Sequence, residues 1–301
     1  MSDTAAPTAA KIPQNPVLAV GFMLLATVFI AATTLLAKAL GTDTLGPALH
    51  PFQVSHGRFL FAWVAVVSAV VVLRPRFTRP DMRVHIARTL CGWAGVSLLF
   101  AAAAAIPLSD ATAISFLSPV FGMILAIPLL GERVGPWRWL AAAIALTGAM
   151  LLIRPGSTTM QAGAFLALGA ALFTGLEIIL IKRLSGREKL LQVLLINNTL
   201  GMILSSLAVI AVWQPPTVAQ WGALVSLGLI MACAQICFFS ALRQADASFI
   251  TPFSYLTLVF AALYDRLIFN VIPDGISLAG AAIIIGGAAL LVWRETVHRR
   301  P

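Results

Sequence analysis

Residues 110–154, DATAISFLSPVFGMILAIPLLGERVGPWRWLAAAIALTGAMLLIR, decide how the rest of the chain is read. Two apolar segments of about twenty residues, each long enough to cross a hydrocarbon core of ~30 Å, flank the turn Gly131-Glu132-Arg133. A degraded copy begins at Asp246. There Asp-Ala-Thr-Ala-Ile-Ser returns as Asp-Ala-Ser-Phe-Ile-Thr, and the pair Val120-Phe121 returns as Val259-Phe260. The chain therefore reads as a duplicated bundle.

Composition supports a membrane solvent. Of 301 residues, 60% are hydrophobic and only 10% charged, against about a quarter charged in soluble domains, and the mean hydropathy is +0.96. Ten apolar segments follow, near 16–40, 51–73, 82–104, 110–130, 136–153, 160–183, 188–212, 218–241, 247–270 and 275–294. The connectors are short and carry turn punctuation such as Arg154-Pro155-Gly156, Pro215-Pro216 and Pro273-Asp274-Gly275. The first apolar run exceeds the core of a signal peptide and is expected to be retained as a helix. Cys91, Cys233 and Cys237 show no ligand spacing and read as small buried residues.

The net charge of +9 does not call for nucleic acid, because the basic residues sort by loop. One side collects Lys11, Arg74, Arg76, Arg79, Arg83, Arg133, Arg138, Lys182, Arg183, Arg187, Lys189, Arg243, Arg294, Arg299 and Arg300. The other has Lys38 and Arg154. By the positive-inside rule both termini are expected to be cytoplasmic and the protein integral to a plasma membrane. Five helices per half is an odd number, so homologous halves must be inverted. Such repeats let a carrier alternate between inward-open and outward-open shapes about one central site.

With these features on the page, several pieces match a known pattern. They are Pro51 to Phe61 with Arg58, Ser118-Pro119-Val120-Phe121, Gly131-Glu132-Arg133, Lys182-Arg183-Leu184 and Ala241-Leu242-Arg243. Over residues 17–294 the chain resembles the ten-helix EamA-like members of the drug/metabolite transporter superfamily, within it the amino-acid and aromatic-metabolite exporters. The resemblance implies a basket-like bundle around a central cavity. The expected organisation is a tail over 1–15, five-helix repeats over 16–155 and 156–294, and a tail over 295–301. The second half departs from the pattern, with Asn270-Val271 where Gly131-Glu132 stand and Leu258 where Pro119 stands.

Ionisable and polar groups inside segments are the candidate site, because charge costs ~3 kcal/mol at the centre of a membrane helix. Glu177 can bind a substrate amine, carry a coupling proton, or pair with Arg58 or Arg88. Arg58 can clamp a carboxylate through two parallel hydrogen bonds or serve the structure, and His56 can sense protons or stand as an interfacial, hydrogen-bonded bystander. Asp265 and Arg266 read as structural or gating residues. Asn197, Asn198, Gln235, Tyr255 and Ser118 offer neutral contacts, or else hydrogen bonds between helices. Pro119 and Pro252 interrupt two related helices, and Trp93 and Trp63 can wall a cavity or simply pack. Gly280, Gly286 and Gly287 permit close helix approach within the monomer, the favoured state, or at a dimer interface.

The functional expectation is a secondary or facilitated carrier of a small metabolite, with amino-acid export leading. A nucleoside-like cofactor or riboflavin, imported or exchanged, is the alternative substrate. No cofactor, metal or nucleic-acid partner is expected. An intramembrane enzyme is the remote reading, since no His-Glu-x-x-His, Gly-x-Ser-x-Gly or phosphate-loop motif occurs.

Overall fold

The computed structural model describes residues 15–130, 135–153, 158–184, 188–244 and 251–298. The Gly131-Glu132-Arg133 turn, Lys11, Arg154, Arg187, Asp246, Ser248, Arg299 and Arg300 lie outside them. Among the described residues every regular element is helical: α1 Pro16–Gly41, α2 Pro51–Leu73, α3 Met82–Ala105, α4 Leu108–Ser115, α5 Ser118–Leu130, α6 Pro136–Ile153, α7 Thr158–Leu184, α8 Leu190–Val209, α9 Val218–Gln244, α10 Leu256–Ile268 and α11 Gly275–His298. Among the described residues seven spans are long and apolar enough to cross a membrane, α4 and α5 counting as one. Ala142–Leu152 and Gly275–Gly287 are shorter apolar helices.

The helix starts follow from local chemistry. Asn15 caps α1 by accepting from Leu18 N at 3.1 Å, His50 caps α2 through Phe52 N at 3.2 Å, and Pro16 and Pro51 occupy first-turn positions where no N–H is needed. Asp81 and Asp274 cap α3 and α11 in the same manner.

Pro119 breaks the fourth segment as its missing N–H requires. Leu117 N turns back to Ile114 O at 3.0 Å, and Phe121 N resumes the helix on Leu117 O at 3.0 Å. Before α10 the chain takes a tight 3-10 turn over Thr251–Tyr255. The two interruptions face each other, with the Phe116 ring edge-on to Tyr255 at 5.1 Å. Where the first half has Gly131, Asn270 adopts φ +54°. Asparagine tolerates this left-handed geometry better than other side chains.

The principal packing joins the halves: α3 on α7, α1 on α9, α6 on α11 and α2 on α8. Exchanging the halves maps α3–α7 onto α1–α9 and returns the other two pairs to themselves, as a two-fold pseudo-axis demands. Glycines set the close approaches. A Cβ added at Gly148 would sit 2.7 Å from Gly280 O, where α6 crosses α11. Gly175 similarly admits the backbone of Ser118 and Gly122 against α7. Trp137, Trp139, Trp213 and Trp221 are exposed, in keeping with interfacial positions. Cys233 is exposed too, correcting its assignment as a buried residue, because it falls on the outer face of α9 while its neighbours Ala232 and Ala234 pack inward.

Candidate functional site

Helix α3 carries the site. At 100° per residue, His85, Arg88, Thr89, Gly92 and Gly95 share one arc of about 120°, and this polar stripe faces α7 and α8. Arg88 Nε lies 3.4 Å from Glu177 Oε1 on α7. Thr89 donates its hydroxyl to Asn197 Oδ1 on α8 at 3.3 Å. Gly92 makes the charged contact possible, since a Cβ there would lie 2.9 Å from both Glu177 Cδ and Oε2. The carboxylate is thus seated against bare backbone one turn above Arg88.

Arg58 reaches the same region from α2. It is 5% exposed, within electrostatic reach of Glu177, and its guanidinium rests over the Phe59 ring at 4.4 Å. Nη1 of Arg58 and Nη1 of Arg88 are both buried without a hydrogen-bond acceptor. Two cations, one carboxylate and one amide therefore converge from α2, α3, α7 and α8, two helices from each half.

A groove of ≈ 370 Å³ lies elsewhere on α3, lined by Phe52, Trp93, Ala94, Ser97, Leu98 and Ala101. Ala94, Leu98 and Ala101 point away from the polar stripe. This largely apolar recess beside the start of α2 is distinct from the charged cluster.

The comparisons with known proteins bear on a bundle of this kind. The EamA-like transporter family matches residues 17–154 and again 161–293. The chain belongs to the EamA-like transporter family. It is 29% identical over 280 residues to an S-adenosylmethionine uptake transporter of Rickettsia bellii, covering 92% of this chain and 94% of that one. It is 35% identical over 217 residues to a riboflavin transporter of Rhizobium johnstonii, covering 71% of each. A crystal structure with 19% identity superposes with a TM-score of 0.61 over 91% of this chain and 95% of the other, which shows the shared fold. This EamA-like protein is an integral membrane transporter of small metabolites, and the family and relatives point to transport rather than catalysis.

Other residues singled out in the sequence scatter through the EamA-like bundle. His56 ties α2 to α8, its Nδ1 3.4 Å from both Ser205 Oγ and Ser206 Oγ. Asn198 turns its amide onto its own helix, donating to Leu194 O at 2.9 Å, and leaves Oδ1 without a partner. Gln235 Oε1 on α9 is likewise buried and unpartnered. Ser118 and Tyr255 sit at the two helix breaks, with the Ser118 backbone packed on Gly175 of α7. Trp93 lines the apolar groove, 5.2 Å from Phe52, and Trp63 donates to Thr199 Oγ1 at 3.0 Å. Arg266 is exposed, whereas Asp265 is fully buried. Asp265 accepts from Lys38 Nζ at 2.6 Å and from Ser109 N at 3.1 Å, joining α1, the start of α4 and α10.

Three contributors escaped the sequence reading. Gly92 offered a signal, standing one turn after Arg88, but glycine is common in membrane helices and its partner on α7 is 85 positions away. Lys38 stands in the last turn of α1, where a lysine ordinarily meets solvent. The third is a closed network at the opposite end of the bundle: Glu188 accepts from Gln192 Nε2 at 2.9 Å and Asp81 N at 3.2 Å, with His85 Nε2 at 3.0 Å, while Gln192 exchanges hydrogen bonds with the backbone of Thr78.

Proposed function

We propose that this chain is a secondary carrier that moves a nucleoside-like cofactor or a flavin by alternating access around the Arg58, Arg88, Glu177 and Asn197 cluster. The observation that carries the reading is this cluster itself. Charged groups buried between the halves of a membrane bundle are costly, and they recur where a substrate must be held in mid-membrane. The substrate class is supported by the names of the two relatives, one for S-adenosylmethionine and one for riboflavin. The halves span 16–155 and 156–294 between short tails at 1–15 and 295–301, and the loop distribution of Lys and Arg supports cytoplasmic termini. In that orientation Asp265 with Lys38 acts as a latch at the outer end. The carrier works as a monomer, consistent with Gly280 packing on α6 of the same chain. His56, Asn198 and Tyr255 serve helix contacts, while Gln235 and Ser118 remain candidate neutral contacts for the substrate.

Amino-acid export is the second reading, favoured by the opposite charges of Arg58 and Glu177, which suit a zwitterion. Counterflow into proteoliposomes separates the two. Vesicles loaded with unlabelled S-adenosylmethionine, riboflavin or mixed amino acids are offered the labelled compound outside. Accumulation of adenosylmethionine or riboflavin, competed by the unlabelled form, supports the first reading. Accumulation of amino acids alone transfers the assignment to the second.

A further inference from the structure

We infer that Arg58 and Arg88 together form a subsite for a carboxylate group of the transported molecule, and that Glu177 is the internal counter-ion orienting Arg88 rather than a partner for a substrate amine. The inference rests on the reading of this cluster as the substrate site and narrows the substrate to one bearing a carboxylate, as S-adenosylmethionine does and riboflavin does not.

Donors outnumber acceptors in the cluster. Arg58 and Arg88 are each 5% exposed, and each leaves Nη1 buried without an acceptor. Glu177 approaches Arg88 Nε at 3.4 Å, an ion contact too long for a good hydrogen bond, and makes no comparable contact with Arg58 among the described residues. Glu188 also lies within electrostatic reach of Arg88, but His85, Gln192 and Asp81 N already engage its two oxygens. Asn197 Oδ1 is taken by Thr89.

A guanidinium left unmatched in a low-dielectric interior is destabilising, and its planar fork suits the two oxygens of a carboxylate. Among the described residues Arg88 has a carboxylate within contact distance and Arg58 has none, so a single carboxylate matches the unpaired guanidinium where a phosphate dianion would overshoot. Gly92 keeps Glu177 drawn against α3, which holds Arg88 in place without occupying the face that Arg58 shares.

The test uses the full chain in nanodiscs and compares binding of S-adenosylmethionine with its decarboxylated form, and of riboflavin with riboflavin 5′-phosphate. The carboxylate is expected to improve affinity at least about tenfold, and Arg58→Met and Arg88→Met each bring that ratio close to one. Arg58→Lys restores part of it, which a general folding defect would not do. Equal affinities in the wild-type protein, or a ratio unchanged in the variants, overturns the subsite. A larger gain from the phosphate than from the carboxylate overturns its carboxylate character. Should neither adenosyl compound nor either flavin bind, the proposed substrate class fails. The subsite is then judged on L-phenylalanine against L-phenylalaninamide, where a carboxylate preference lost in both variants upholds it, and absence of binding or of preference overturns it.

Discussion

At Gly92 a single hydrogen in place of a methyl group decides where a charge sits. Adding Cβ would force it to within 2.9 Å of the Glu177 carboxylate, so Gly92→Ala is expected to swing that flexible carboxylate off Arg88 at a cost of about 0.5–1 kcal/mol. The cost should vanish in a Glu177→Ala background, where the crowded atoms are gone. Denaturation of the four proteins in detergent checks this, and equal costs in both backgrounds would reject the contact. Asp265 gives a second residue-scale prediction. Removing only its partner, as in Lys38→Met, leaves a buried carboxylate and should destabilise by about 3–5 kcal/mol. Lys38→Met with Asp265→Leu should recover much of that loss. A double variant no more stable than the single one contradicts the pairing.

Helix α11 shows how an element is placed by its small residues. Gly280 and Gly148 bring the backbones of α11 and α6 together, whereas a Cβ at Gly286 meets nothing within 4 Å. Gly148→Leu should therefore cost about 1–3 kcal/mol by forcing two backbones apart, while Gly286→Leu should stay within about 0.5 kcal/mol. Melting of both variants decides it, and similar shifts would mean that the crossing is not the constraint. Such a contrast is invisible in the sequence, where both residues belong to one Gly/Ala-rich run. The break at Pro119 was legible because it depends on one residue's missing N–H. What it faces, Tyr255 across the bundle, was not.

The whole molecule is less symmetric than its two halves. Helices α1 and α2 pack on α3, but α7 and α8 make no comparable packing on α9 among the described residues. Gly41 meets Ala104 closely at the α1–α3 end, and the Lys38–Asp265 pair closes the same end. A carrier with inverted halves should exchange these arrangements between states. Spin labels at Asp43 and Ala105 should report a short separation, and labels at Ile181 and Gln244 a long one. During substrate exchange each pair should gain the other's population. Distributions that stay fixed under counterflow conditions would reject alternation between these helices.

The amino-acid sequence alone determined the solvent, the succession of apolar segments, the helix interruption at Pro119 and the list of intramembrane charges. Each depends on local composition, on one residue's covalent geometry, or on the cost of charge in hydrocarbon. Family membership was legible in the same way, from short motifs read in order. Tertiary structure alone decided the pairings. Glu177 lies beside Arg88 because α7 packs on the face of α3 where Gly92 leaves room. Asp265 takes Lys38 across 227 positions rather than its neighbour Arg266, because successive residues diverge by about 100° on a helix. Trp93 turned to an apolar groove and Asn198 to its own backbone for the same reason. Helical periodicity puts a residue on a face, and only the packing of other helices determines what that face meets.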